Sequence, residues 1–234
     1  MLPDSRQTIH IGINYVLAPA PLLDKERHLA FQQVLTSRGI DYSTTTFDNN
    51  VSRIIREVPT QFQIKVAPIL GSPVGQLLIL APGAWPGLSA VIKEIEAVID
   101  AFSQTWPMEH RQILSVDAAI RDLYETSAEH AFKELWEGRL GQPESALSSL
   151  GGPVLGGGLR FVVPQMGPTG EIDCNIEVKI ESFLRNTHKI FVETQFTWPL
   201  PQPFGPSFSA GEHLRQVNQY IEDRLTAFIM GDLK

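Results

Sequence analysis

The sequence predicts an α+β fold built from two similar halves, each with the order strand, helix, several antiparallel strands, helix. A helical pattern that begins with Ala-Phe at Ala30 recurs at Ala131, an offset of 101 residues (131 − 30). A second helical pattern that begins at Leu88 recurs at Leu214, an offset of 126 residues (214 − 88). Between these helices, apolar and polar residues alternate, which is typical of strands with one buried face.

The first half begins with an apolar run at residues 9–15, which predicts a strand, and the helix of residues 30–38 follows it. Turn-forming residues then separate four further predicted strands at residues 41–47, 51–58, 61–69 and 76–80. The half closes with an amphipathic helix, because three-and-four spacing relates Leu88, Val91, Ile95, Ile99 and Phe102.

The second half repeats this order with one insertion. A strand at residues 112–116 precedes the helix of residues 131–139. Further strands are predicted at residues 159–163, 171–183 and 187–198, and the last helix carries Leu214, Val217, Ile221, Leu225 and Phe228.

The insertion lies at residues 141–158, a stretch rich in Gly, Ser and Pro that accounts for most of the difference between the two offsets. Its composition predicts a loop or lid. We therefore divide the chain into a first α+β repeat, residues 1–107, and a second α+β repeat, residues 108–234, that contains this loop insertion.

Alternation along the strands predicts an antiparallel sheet with helices on one face. In such sheets the second face is left to water or to a partner. We expect that open polar face to bind a ligand. Its candidate ligand-binding residues are Asn14, Gln63, Asn175, Glu177, Glu193 and Gln195.

Composition and charge exclude several classes of protein. The chain has 26 acidic and 19 basic residues, a formal net charge of −7, which argues against nucleic-acid binding because that mode needs clustered cations. Arg53, Lys65 and Lys179 can form at most a local basic patch. No apolar run approaches the roughly 20 residues of a membrane helix, and the first residues lack the order of a signal peptide. A cytoplasmic protein with no membrane contact is expected.

Few residues point to a cofactor or to catalysis. His130 and Glu134 share a helical face but lack a third ligand at a recognised spacing, so neither a metal nor a cofactor is predicted. The single cysteine cannot form a disulfide within the chain. Asp173, Glu177 and Glu193 could work as an acid and a base if their pKa values differ.

Near the end of the sequence, a predicted strand closes at Phe196, Thr197, Trp198 and Pro199. The helix that follows carries Glu212, His213, Leu214, Tyr220, Ile221 and Phe228. In this segment the chain resembles a sporadically distributed, uncharacterised prokaryotic protein family of about 250 residues. The resemblance also covers the helix after Trp85 and the strand after His110, and it implies no catalytic residue. The layout of each half is similar to the repeat unit of the saddle-shaped TATA-binding-protein fold, a likeness of topology that carries no function.

Two functions follow from these patterns. The first is a non-catalytic module that binds a polar ligand or a protein partner on the open sheet face. The alternative is a hydrolase-like enzyme with a pocket under the loop of residues 141–158. Exposed outer strands can pair between protomers, so a homodimer is also expected.

Overall fold

The computed structural model describes residues 1–107, 111–199, 201–203 and 208–230, so His110 lies outside the described residues. It is an α+β protein with one open antiparallel sheet. The strands are β1 (Leu2–Ala18), β2 (Thr44–Asp48), β3 (Val51–Arg56), β4 (Phe62–Pro68), β5 (Gly75–Pro82), β6 (Gln112–Glu125), β7 (Gly158–Met166), β8 (Ile172–Ser182), β9 (Lys189–Trp198) and the two-residue β10 (Gln202–Pro203). The helices are α1 (Lys25–Ser37), α2 (Leu88–Thr105), α3 (Ala131–Lys133), α4 (Ala210–Tyr220) and α5 (Thr226–Met230).

The two longest strands, β1 and β6, lie at the centre of the sheet. The order is β2-β3-β4-β5-β1-β6-β9-β8-β7, and β10 pairs with β6 beside this path. β1 and β6 pair with each other. β2 to β5 lie beyond β1 toward one edge of the sheet, and β7 to β9 lie beyond β6 toward the other edge. The outermost strands are β2 and β7.

Alternation makes one face of the sheet apolar. Every second residue is buried along β5 and β8, namely Leu77, Ile79 and Ala81, and Cys174, Ile176, Val178 and Ile180. These residues join one core with the helices. Cys174 packs in this core, and its burial raises the pKa of the thiol to about 12. A thiol with so high a pKa is not a nucleophile at neutral pH.

Polar contacts begin the first helix and attach the second helix to this face. The α1 helix begins after Asp24, whose carboxylate accepts a hydrogen bond from the amide of Arg27 at 2.7 Å. Within the core, the buried Arg56 of β3 forms an ion pair with Glu94 of α2 at 2.8 Å. α2 contacts both α1 and α4, and α4 contacts β6 and β9. We call the covered side of the sheet the helix face and the opposite side the open face.

An aromatic cluster joins α1 to α2. The fully buried Trp106 has its ring centroid 5.1 Å from that of Phe31 and 5.0 Å from that of Phe102. Its indole nitrogen donates a hydrogen bond to the carbonyl of Leu22 at 2.7 Å, so the polar atom of the ring is satisfied. Burying each such side chain stabilises the fold by about 1.5–3 kcal/mol.

The α+β class, the antiparallel sheet and the order of its elements agree with the sequence prediction. The central strands are longer than predicted: β1 spans Leu2–Ala18 and β6 spans Gln112–Glu125. Their outer parts contain polar residues such as Asp122, which interrupt the apolar pattern but find partners on neighbouring elements. The helix predicted at residues 131–139 begins as α3 and continues as a π-helix, Glu134–Arg139.

The predicted loop of residues 141–158 contains a 3₁₀ turn, Glu144–Leu150. None of the helices in the described ranges is long and apolar enough to cross a membrane.

Candidate functional site

The strand register places all six predicted ligand-binding residues on the open face, in three neighbouring rows that cross the strands. The first row runs Gln63, Leu80, Gly12, Ala119, Gln195, Glu177. The second row runs Lys65, Leu78, Asn14, Asp117, Thr197, Asn175. The third row runs His10, Arg121, Glu193, Lys179, Arg160.

The six residues do not form one cluster. Gln195 lies directly opposite Glu177, and Glu193 lies in the adjoining row two positions along the same strand as Gln195. Gln63 lies four strands away from Gln195, roughly 19 Å at the usual strand spacing. Asn14 is likewise three strands from Asn175. Alternation along the strands predicted that these residues share one face, and the register shows which of them are neighbours.

Five alternating charges cross the strands of the second half, and we call them the charge ladder: Arg121, Glu193, Lys179, Glu177 and Arg160. Lys179 Nζ lies 2.7 Å from Glu193 Oε1 and 3.1 Å from Glu177 Oε1. Arg160 Nη2 lies 2.8 Å from Glu177 Oε2, and Arg121 Nε donates to Glu193 Oε2. Each carboxylate therefore contacts two cations.

These contacts keep both carboxylates ionised. The hydrogen bond from Arg160 is the main reason that the pKa of Glu177 lies below its usual range. Burial acts to raise the pKa of Glu193, but hydrogen bonds from Lys179 and Arg121 outweigh it and hold this pKa below its usual range as well. Hydrogen bonds to Glu193 and Glu177 in turn raise the pKa of Lys179. At neutral pH the ladder is thus fully charged.

A second polar group links the middle strands. Asp117 accepts a hydrogen bond from Thr197 Oγ1 at 2.7 Å and one from Asn14 Nδ2 at 3.3 Å. The other amide atom of Asn14, Oδ1, is buried and has no hydrogen-bond partner among the described residues. An unpaired buried acceptor costs about 1–3 kcal/mol, which a ligand that donates a hydrogen bond could offset.

His10 is a member of the open face that the sequence patterns did not identify. Its Nε2 would lie 3.2 Å from a Cβ placed on Gly12, so the ring lies against that glycine. Burial, together with the charge of Arg121, lowers the pKa of His10 to about 4, although Glu193 acts to raise it. His10 is therefore neutral at pH 7.

On the open face of the first-half strands, two cations have no acidic partner among the described residues. Arg53 and Lys65 lie directly opposite each other on β3 and β4, and neither forms an ion pair within the described part of the chain. Like charges in directly opposed positions destabilise a sheet. This pair is therefore a place where an acidic group would be favourable.

The sequence patterns identified the amides and carboxylates of the site, but they missed Arg121 and the ion pairs of Lys179. Alternation with Asp117 and Ala119 would have put Arg121 on the open face, but the predicted strand ended at residue 116. Because that strand continues to Glu125, Arg121 reaches Glu193. Lys179 already alternated with Asn175 and Glu177, and only the register reveals which carboxylates it contacts.

The loop insertion covers a separate cavity of about 590 Å³. His130 lines it, but its Nδ1 accepts a hydrogen bond from the amide of Lys133 at 3.0 Å. Ser148 also lines it, and its hydroxyl donates to the carbonyl of Ser145 at 2.8 Å. Each of these two side chains thus bonds to a backbone group, and these contacts do not pair His130 as a base with Ser148 as a nucleophile.

Comparisons with known proteins name no family for the chain. No family model matches it, and no curated protein matches it. A solved structure from Bacillus halodurans, described as a "putative adenylate cyclase", is 13% identical over 93% of this chain and 89% of its own, with a TM-score of 0.13. A TM-score this low carries no argument about fold or function.

Proposed function

We propose that this protein is a non-catalytic binding module whose open face meets a polar ligand or another protein chain. The observation that carries the proposal is the three-row arrangement on that face, where amides, hydroxyls and paired charges line up across the strands. The unpartnered cations Arg53 and Lys65 suggest that the ligand presents an acidic group.

The charge state of the face supports binding over catalysis. General acid–base work on a carboxylate pair needs two groups whose pKa values are pushed apart. Glu177 and Glu193 both have lowered pKa values, so neither stores a proton at neutral pH. A His10 with a pKa of about 4 is a weak base.

Side-chain amide signals provide a direct test, because four of the six candidate residues are Asn or Gln. A ¹⁵N spectrum would be recorded while a hexaglutamate peptide or inorganic phosphate is added. We expect saturable shifts of the amides of Gln63 and Asn14, the two nearest to Lys65 on the open face, and loss of these shifts in Lys65→Glu. Arg185→Glu, an exposed change outside the strands, is the matched control.

Either of two results would overturn the proposal: no shift at about 10 mM of either probe, which corresponds to binding weaker than about 3 kcal/mol, or shifts confined to the lining of the loop cavity. A single-stranded oligonucleotide serves as a third probe. Tight binding of it that weakens steeply with salt would favour nucleic acid instead.

The second candidate is a hydrolase-like enzyme, which is favoured by the cavity under residues 141–158. Its test is deletion of that loop with a short glycine linker, assayed on a panel of activated esters and phosphodiesters. Turnover that the intact chain shows and the deletion abolishes would support the enzyme. Open-face binding that survives the deletion would support the binding module.

We also propose that the chain arose by internal duplication. Support comes from the pairing of β1 with β5 and of β6 with β9, since each joins the first strand of a predicted repeat to a strand late in the same repeat. Membership of the sporadic prokaryotic family, the likeness to the TATA-binding-protein saddle, the division at residue 107 and a cytoplasmic location stay predictions.

A further inference from the structure

The outermost strand β7 exposes apolar side chains on both of its faces. Eight of its nine residues are exposed, and Arg160 is its only charged residue. Val162 is 60% exposed on the open face, while Phe161 and Val163 are each 36% exposed on the opposite side. The other outermost strand, β2, differs because it is short and carries Thr and Asp at its exposed positions. A long, apolar outermost strand is a site where a second strand adds.

The register shows which backbone groups of β7 are available. Just before the strand, the amide of Ser182 donates to the carbonyl of Gly157 at 3.0 Å, so this pair is hydrogen-bonded within the sheet. Hydrogen-bonded and non-hydrogen-bonded pairs alternate along an antiparallel ladder. Gly158, Arg160, Val162 and Pro164 therefore point their backbone groups outward, away from β8.

The position of Pro164 fits this assignment. Proline has no N–H, and in sheets it is tolerated where that group would face away from the neighbouring strand. The outer side of β7 thus offers three N–H groups, from Gly158, Arg160 and Val162, and four carbonyls, from these residues and Pro164.

We propose that β7 pairs antiparallel with β7 of a second copy of the chain, around a twofold axis at Phe161. In this register Arg160 lies opposite Val162 of the second copy, and each donates to the other's carbonyl. Gly158 of one copy donates to the carbonyl of Pro164 of the other. Because Pro164 has no N–H, the carbonyl of Gly158 is the one outward group of these four residues that stays unbonded. All three outward donors of each copy are satisfied.

Side chains favour a second copy as the occupant. The register puts Arg160 beside the apolar Val162 and keeps the two copies of Arg160 out of direct opposition, which would be unfavourable. Phe161 meets its own counterpart, next to Phe228, whose ring centroid lies 5.4 Å away in the same chain. Phe228 is itself 41% exposed, so both rings are available to be covered.

Pairing around this axis keeps the open faces of both copies on the same side. Because Arg160 and Val162 both point to the open face, the charge ladder of one copy would adjoin that of the other. The dimer does not rest on the proposed ligand binding, and its test needs no ligand.

The test measures molar mass by light scattering and sedimentation between about 1 and 200 μM, a range that brackets a micromolar Kd. We expect a dimer for the intact chain, and a Kd at least about tenfold weaker for Val162→Lys, which puts a cation directly opposite Arg160 of the second copy. Val58→Lys, at a valine that is 75% exposed outside the strands, is the matched control and should leave the dimer unchanged. A monomer throughout this range, or equal Kd values for the two variants, would overturn the proposal.

Hydrogen exchange gives a second readout that needs no variant. In the dimer the amides of Arg160 and Val162 are expected to exchange more slowly as protein concentration rises. The amides of Phe161 and Val163 bond to β8 in either state, so their exchange should not depend on concentration. Concentration-independent exchange at Arg160 and Val162 would also overturn the proposal.

Discussion

Removing the more buried carboxylate of the charge ladder, that of Glu193, tests the electrostatics of the open face. Glu193 is 6% exposed and accepts hydrogen bonds from Lys179 and Arg121. A hydrogen bond to a charged group is worth about 1.5–3 kcal/mol. The side chains of Lys179 and Arg121 are 30% and 43% exposed, however, so water takes over part of each bond once the carboxylate is gone.

We therefore expect Glu193→Ala to lower the free energy of unfolding by about 2 kcal/mol, and Glu193→Gln, which retains one acceptor oxygen, by about 1 kcal/mol. Glu181→Gln is the matched control, since this glutamate is exposed on the open face of β8 without an ion pair among the described residues. It should change stability by less than about 0.5 kcal/mol. Urea unfolding followed by tryptophan fluorescence measures all three.

The pH dependence makes the test specific to charge. Because the folded pKa of Glu193 is below its unfolded value of about 4.3, its contribution is complete above that pH and is lost as the pH falls through the folded pKa. The difference between the intact chain and Glu193→Gln should therefore shrink as the pH falls below about 4.3. A Glu193→Gln variant as stable at pH 7 as Glu181→Gln, or a difference unchanged by pH, would refute the reasoning.

Three further predictions concern neighbouring parts of the molecule. Gly12→Val should destabilise the fold by about 1–3 kcal/mol in urea unfolding, because a Cβ there lies 3.0 Å from Leu80 and 3.2 Å from His10. His10 should titrate with a pKa of about 4 by NMR, chiefly because of burial. Since this pKa is below the unfolded value of about 6.5, its contribution to stability is complete above that pH and falls between about pH 6.5 and 4, a dependence that His10→Gln removes. Phe102→Ala should cost about 3–5 kcal/mol in urea unfolding and shift the emission of Trp106 to longer wavelength.

Clear results would contradict each of these. A His10 pKa near 6.5 would mean that the ring is hydrated and not held against Gly12. A fully stable Gly12→Val would mean that Leu80 moves aside at no cost. Unchanged emission in Phe102→Ala would mean that Trp106 does not depend on this contact.

Sequence patterns located most elements because their signals are local. Alternation with period two revealed β4 and β8, and three-and-four spacing revealed α2. The patterns failed where polar residues find distant partners. Asp122, fully buried, is paired with Arg6 and Thr8, and no window of neighbouring residues contains that information.

For the candidate site, too, sequence patterns predicted the local features and missed those that depend on distant residues. The face on which Glu177 and Glu193 lie follows from alternation along one strand. Their cations depend on which strands are neighbours, and Arg121 is 72 residues away from Glu193 in the chain.

The sequence by itself determined the class of fold, the order of its elements and the polar character of the open face, because residue spacing along a helix or strand decides which side chains share a face. Only the tertiary structure decided that β1 and β6 lie at the centre, that Glu193 sits between two cations and that β7 is left outermost. These features depend on pairing between distant strands. That pairing is chosen by the packing of the whole core and leaves no periodic signal in any single strand.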